Sequence, residues 1–129
     1  MDDPDEIRLL DLPFVDLRLT SDEIFYARLR NDVGSGVDEV LGAIQPHLEA
    51  HAPVRYLVDV SEIPELGLDE RWKLSSRMKA NRALIHRTAV LGLSTARLFM
   101  FNVIVRASGR SNLRAFNDPV EARRWLQSD

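Results

Sequence analysis

The 129-residue sequence predicts a mixed α/β domain of about five strands and about four helices, in which an N-terminal β-hairpin leads into βα units. Three observations predict it. Two alternating apolar/polar runs near the start are separated by a polar turn. Two short runs rich in β-branched residues, at 54–60 and 88–93, are each followed by a helical pattern. Helix-start signals recur where those patterns begin.

The elements follow in chain order. Residues 1–6 are expected to form a disordered tail, and Ile7–Leu10 a short strand before Pro13. Phe14, Asp16 and Arg18 alternate with Val15, Leu17 and Leu19, the period of two of a half-buried strand. Thr20-Ser21-Asp22-Glu23 is a polar turn, and Ile24–Arg30 alternates again, so the two runs read as a hairpin. Gly34-Ser35-Gly36 breaks the chain, with Ser35 as a candidate N-cap. Val37, Val40, Leu41, Ile44 and Leu48 then follow at helical spacing, and Pro46 is expected to kink or shorten that helix.

Val54–Val60 reads as a buried strand. The loop Ser61–Leu68 leads to a helix expected over 69–87, with Asp69 as N-cap, Leu74, Met78 and Ile85 on its inner face, and Arg82, His86 and Arg87 at its negative end. Thr88–Leu93 is a second buried strand, expected adjacent or near-adjacent to 54–60 and parallel to it at the sheet centre. Ser94 or Thr95 caps a helix over 95–108 that ends near Gly109. Leu113–Phe116 is a last strand. Asp118-Pro119-Val120-Glu121 combines an N-cap acid, an N1 proline and an N3 glutamate, which starts the final helix. The whole chain, 1–129, reads as a single domain.

From Val54 onward the sequence resembles the STAS superfamily, in particular its SpoIIAA-like (STAS/SEC14-like) branch. The residues that carry the resemblance are VRYLVDVSEI at 54–63, the basic helix at 69–87, TAVLGL at 88–93 and the ending LRAFNDPVEARRWL at 113–126. It implies a mixed sheet with helices packed mainly on one side, and a regulatory or ligand-binding role through protein–protein interaction. Anti-sigma-factor antagonists of the superfamily carry Asp-Ser-Ser-Gly at the corresponding helix start, with one serine phosphorylated. Here that stretch is Gly67-Leu68-Asp69, and Ser61 falls too early, so a phosphoserine switch of that kind is not expected. Asp69 occupies the position that corresponds to the phosphoserine.

Composition narrows the function classes. Without cysteine there is no disulfide framework, thiolate nucleophile or cysteine zinc site. The acidic start MDDPDEIRLL does not read as a secretory signal, and no 18-residue apolar run is present, so a cytoplasmic protein is expected. Charge is split along the chain: residues 1–70 hold 17 acids and 5 bases, residues 71–129 hold 12 bases and 3 acids. Either the halves interleave and neutralise one another, or the lysines and arginines of 71–124 form a contiguous positive surface.

Candidate chemistry is sparse. His47 and His51 stand four apart on one helix, but further ligands and the His-Glu-x-x-His order are lacking, so no metal is assigned. Gly34-Ser35-Gly36 resembles a phosphate-cradling loop but lacks the Walker lysine and a third glycine. Asp59 stands at a strand C-terminus, where α/β proteins place functional groups, without a visible second acid or base. No catalytic residue and no cofactor is assigned, and the chain is read as non-enzymatic.

Two helices carry the binding signals instead. Trp72 lies opposite Leu74 and Met78, on the side of Ser76 and Lys79, and is expected to be exposed as a partner anchor unless it tucks into a loop. The 95–108 helix is apolar nearly all round apart from a strip with Thr95, Asn102 and Arg106, and Arg97 at its start. A sheet-packing helix needs only one apolar stripe. The excess implies a second contact: another helix of the same domain, a homodimer partner, or an anionic lipid surface. Phe99 and Val103, nearest the polar strip, are expected to face outward, with Leu98, Phe101 and Val105 facing the other way. Trp72, Lys79, Phe99, Val103 and Arg106 are therefore the candidate partner-binding residues. Nucleic acid is not expected, since the acidic half would repel phosphates.

Overall fold

The computed structural model describes residues 5–30, 37–63 and 68–128, without the side chains of 37, 68–71 and 75. Six strands form one sheet in chain order: β1 (Ile7–Leu12), β2 (Val15–Leu19), β3 (Ile24–Leu29), β4 (Val54–Asp59), β5 (Ile85–Leu91) and β6 (Leu113–Phe116). The pairs β1–β2 and β2–β3 are antiparallel; β3–β4, β4–β5 and β5–β6 are parallel. The expected hairpin and βα order hold, and β4 and β5 are the parallel central neighbours. The sheet has six strands against about five expected, and the short Ile7 run extends past Leu10 to Leu12 and pairs along all of β2.

Helices α1 (Val37–His51), α2 (Leu68–Ala80), α3 (Thr95–Ala107) and α4 (Pro119–Gln127) are the other elements among the described residues. Strand alternation sends Phe25, Ala27 and Val54 to one face, where Val40, Ile44 and Leu48 of α1 cover them. It sends Ile24, Leu57, Ala89 and Leu91 to the other, under Ala122 and Leu126 of α4. Pro46 does not shorten α1, which runs on to His51. Pro46 and Gly42, whose carbonyl it leaves unbonded, are both exposed, so water can satisfy that group. Ser35 and the Gly34-Ser35-Gly36 loop lie outside the described residues.

The expected 69–87 helix is the main correction. It begins at Leu68 and stops at Ala80, so Asp69 lies in the first turn rather than at the cap, and Ile85 and Arg87 belong to β5. Asn81 stops the helix. It is buried, and its side-chain amide exchanges two 3.0 Å hydrogen bonds with Gln45 of α1. Its carbonyl accepts from the Leu84 N–H at 2.8 Å, turning the chain into β5. The length of β4 then needs Ile85 opposite Val54. Arg87 does cap a helix, but a different one. It donates to the Trp125 carbonyl at the end of α4 at 2.6 Å and lies 4.9 Å over the Trp125 ring. Arg55 of β4 donates to the neighbouring Leu126 carbonyl.

The two short-range helix signals are realised. Asp118 accepts from the Val120 N–H at 2.9 Å with Pro119 in the first turn of α4. Ser94 accepts from the Arg97 N–H at the start of α3, and Gly109, at φ +79°, follows its C-cap Ser108.

Candidate functional site

The candidate site is the outer face of α3. This helix packs along β6, the edge strand of the sheet. Its anchor is Asn102, whose amide donates to the Ala115 carbonyl at 3.0 Å and accepts from the Ala115 N–H at 2.8 Å. Leu98, Asn102 and Val105 lie three and four apart and share the inner side, where Val105 is buried. The polar strip of Thr95, Asn102 and Arg106 is thus split: Asn102 faces the sheet edge. Its amide mimics a further strand and satisfies Ala115, which would otherwise present a free edge.

With Asn102 turned in, the bulky apolar residues turn out. Phe99 is 66% exposed, Met100 56%, Val103 45% and Ile104 62%. The 3.6-residue period gathers them, with exposed Ala96 and Ala107 between, into one arc of about 140°. Arg106 borders this arc beside Phe99 and Arg97 borders it beside Ile104; Arg110 follows the helix end. Phe99 and Val103 face outward as expected, with Leu98, Phe101 and Val105 better covered. Met100 and Ile104 widen the patch beyond the sequence reading.

The chain segment that carries α3 is basic. Residues 71–117 contain 10 lysines and arginines and no aspartate or glutamate. Elsewhere the two halves of the chain do neutralise each other. Lys73 pairs with Asp38 at 3.1 Å and Arg123 with Asp22 at 3.3 Å. The positive surface is therefore interrupted at Lys73 and Arg123.

Trp72 is 69% exposed, as its place opposite Leu74 and Met78 implied. It borders an open groove of about 220 Å³ between α1 and α2, together with Asp38, Leu41 and Arg77. Lys79 is exposed two turns further along α2. The structure does not join this groove to α3, so the five candidate residues fall on two elements.

A second cleft, about 420 Å³ and open, lies at the carboxyl ends of β4 and β5 beside the start of α4. Asp59 stands in it, accepting from the Tyr26 hydroxyl at 3.1 Å and from the Ser61 N–H at 2.9 Å. Burial, then the neighbouring Asp59, push the Tyr26 hydroxyl up to about 12, so it stays a donor at neutral pH. Gly92 closes one wall so tightly that an added Cβ would fall 2.3 Å from the Ser61 nitrogen.

The sequence reading missed the Asp16 cluster. Asp16 is buried on β2, and Arg8, Arg18 and Arg30 all reach its carboxylate, at 3.0–3.5 Å. Burial pushes its carboxyl up, but the bonds from Arg18 and Arg8 outweigh that and hold it below the usual carboxylate range. Arg18 also pairs with Glu6, which draws the last residue of the expected tail onto the sheet. The alternation of Asp16 and Arg18 with Arg8 across a hairpin was the available signal.

Among the described residues there is no group of three or more His, Asp and Glu side chains placed to hold a metal. His51 instead packs 6.4 Å from the Phe25 ring. No helix among the described residues is long and apolar enough to cross a membrane.

No family model matches the sequence. No curated protein matches it either. Among solved structures the chain is similar to an uncharacterised protein of the DUF3478 family from Shewanella loihica PV-4, which has a SpoIIAA-like fold. The two are 15% identical, the match covers 87% of this chain and 91% of the other, and the TM-score is 0.62. The six-stranded mixed sheet with its four helices is a SpoIIAA-like fold.

Proposed function

We propose that this chain is a non-catalytic binding domain of regulatory type that docks through the outer face of α3. One observation carries the reading. Four bulky apolar side chains stand in solvent on a helix whose polar Asn102 is spent on the sheet edge. Such an arc loses contact with water only when something covers it, and contiguous exposed apolar patches mark interaction sites. Asp59, the group best placed for chemistry, accepts from Tyr26 and Ser61, and this bonding supports the non-catalytic reading.

A second observation favours a protein partner at helix α2. Trp72 borders the α1–α2 groove, and an exposed tryptophan beside cations is a strong anchor for a protein.

Photo-crosslinking inside the native host tests the reading. A benzophenone side chain at position 104 is expected to give a discrete adduct that the same group at the exposed position 42 does not. Equal labelling at both positions, or none at 104, overturns it.

A further inference from the structure

We infer that the partner of the α3 face is an anionic membrane surface, on which the helix lies in the plane of the headgroups. This rests on the reading of α3 as the docking surface and names what docks. Three features select this partner. The apolar arc is convex and stands beyond the edge strand β6 rather than over a sheet face, so it can sink into a flat interface without obstruction. At 13 residues the helix is about 20 Å long, which suits lying in the interface and is too short to span it. Arg106 borders the arc and Arg110 follows the helix end, and the chain segment 71–117 that carries α3 contains no acid.

The geometry matches the way interfacial helices work. Phe99, Met100, Val103 and Ile104 supply the buried face. Arg106, at the rim, extends along the interface to phosphate while its stem stays in the apolar layer. Arg110 follows just past the helix end and adds a second cation. A second copy of the chain fits less well. Two such faces brought together would place arginine rims against each other with no carboxylate of α3 to offset them.

Co-sedimentation with vesicles tests the inference. The protein is expected to sediment with phosphatidylglycerol-containing vesicles, to remain in solution with pure phosphatidylcholine, and to be released by high salt. Phe99→Asp and Ile104→Asp are expected to abolish binding. Arg106→Gln and Arg110→Gln each weaken it roughly fivefold. These glutamines sit at exposed or half-exposed positions and leave the fold intact, so their result stands even if an aspartate variant unfolds. No binding to either vesicle, equal binding to both, or unchanged binding by the arginine variants overturns the inference.

Sedimentation without vesicles separates the two levels of the argument. A wild type that ignores vesicles but forms a dimer that Ile104→Asp splits removes the membrane and keeps α3 as a docking face. A wild type that ignores vesicles and gives no crosslink from position 104 removes both.

Discussion

The side-chain amide of Asn102 forms both hydrogen bonds that a neighbouring strand would offer Ala115, at 2.8 and 3.0 Å, so helix α3 closes the open edge of the sheet. Closing the edge with a side chain fixes which side of α3 faces the sheet, and hence which side faces away. Asn102→Leu keeps the volume and removes both bonds. It is expected to lower unfolding free energy by about 2–4 kcal/mol, two lost bonds plus a desolvated backbone pair. Urea denaturation measures it. The freed edge should also make the variant prone to aggregate. A variant as stable as wild type would show that α3 is held by its apolar contacts alone.

Asp16 gives stability a defined pH dependence. Its folded-state carboxyl lies below the ordinary value of 3.8, so its contribution is complete well above that value and is lost as pH falls through the depressed folded value. Asp16→Asn is expected to cost about 1–3 kcal/mol at neutral pH; the figure is modest because the three arginines stay partly solvated. The difference between wild type and variant should narrow as pH drops below about 4. Urea midpoints across pH 2.5–7 (about one unit apart) test this. A gap that stays constant into acid would contradict it.

Two glycines with positive φ should respond differently to alanine. Gly92 lies at φ +97°, and a Cβ there would meet the backbone of Ser61 at 2.3 and 2.6 Å. Gly109 lies at φ +79° with nothing within 4 Å of its Cβ position. Gly109→Ala therefore costs only the left-handed backbone term, about 1–2 kcal/mol. Gly92→Ala adds the displacement of the Ser61 turn and is expected to cost clearly more. It should also weaken the hydrogen bond from Ser61 to Asp59, visible as faster amide exchange at Ser61. Equal losses at the two positions would mean that the Ser61 turn yields without cost.

Much of this fold was legible because its signals are local. Period-two alternation located β2 and β3, and Asp118-Pro119 located the start of α4. The misjudged helix end shows the limit. Nothing between Ala80 and Ile85 stops a helix by composition; Asn81 stops it by pairing with Gln45, a contact 36 residues away. Arg87 likewise reads as a helix-end cation and is one, but for α4, 38 residues on. The α3 site was half legible. Its excess of apolar residues was plain, and Leu98, Asn102 and Val105 already share a face at spacings of four and three. What the spacing does not carry is that an asparagine can be an inward residue, since that requires an unpaired strand edge within reach.

The central claim is that α3 is the part of the molecule that meets a lipid surface. The chain has no cysteine, so one introduced thiol carries one label. Ile104→Cys places an environment-sensitive fluorophore in the exposed apolar arc, and Gly42→Cys places it on α1, where nothing lies within 4 Å. On titration with phosphatidylglycerol-containing vesicles, the account predicts a blue shift and gain in intensity at position 104, with position 42 unchanged. An unchanged spectrum at 104, or the same shift at both positions, would contradict it.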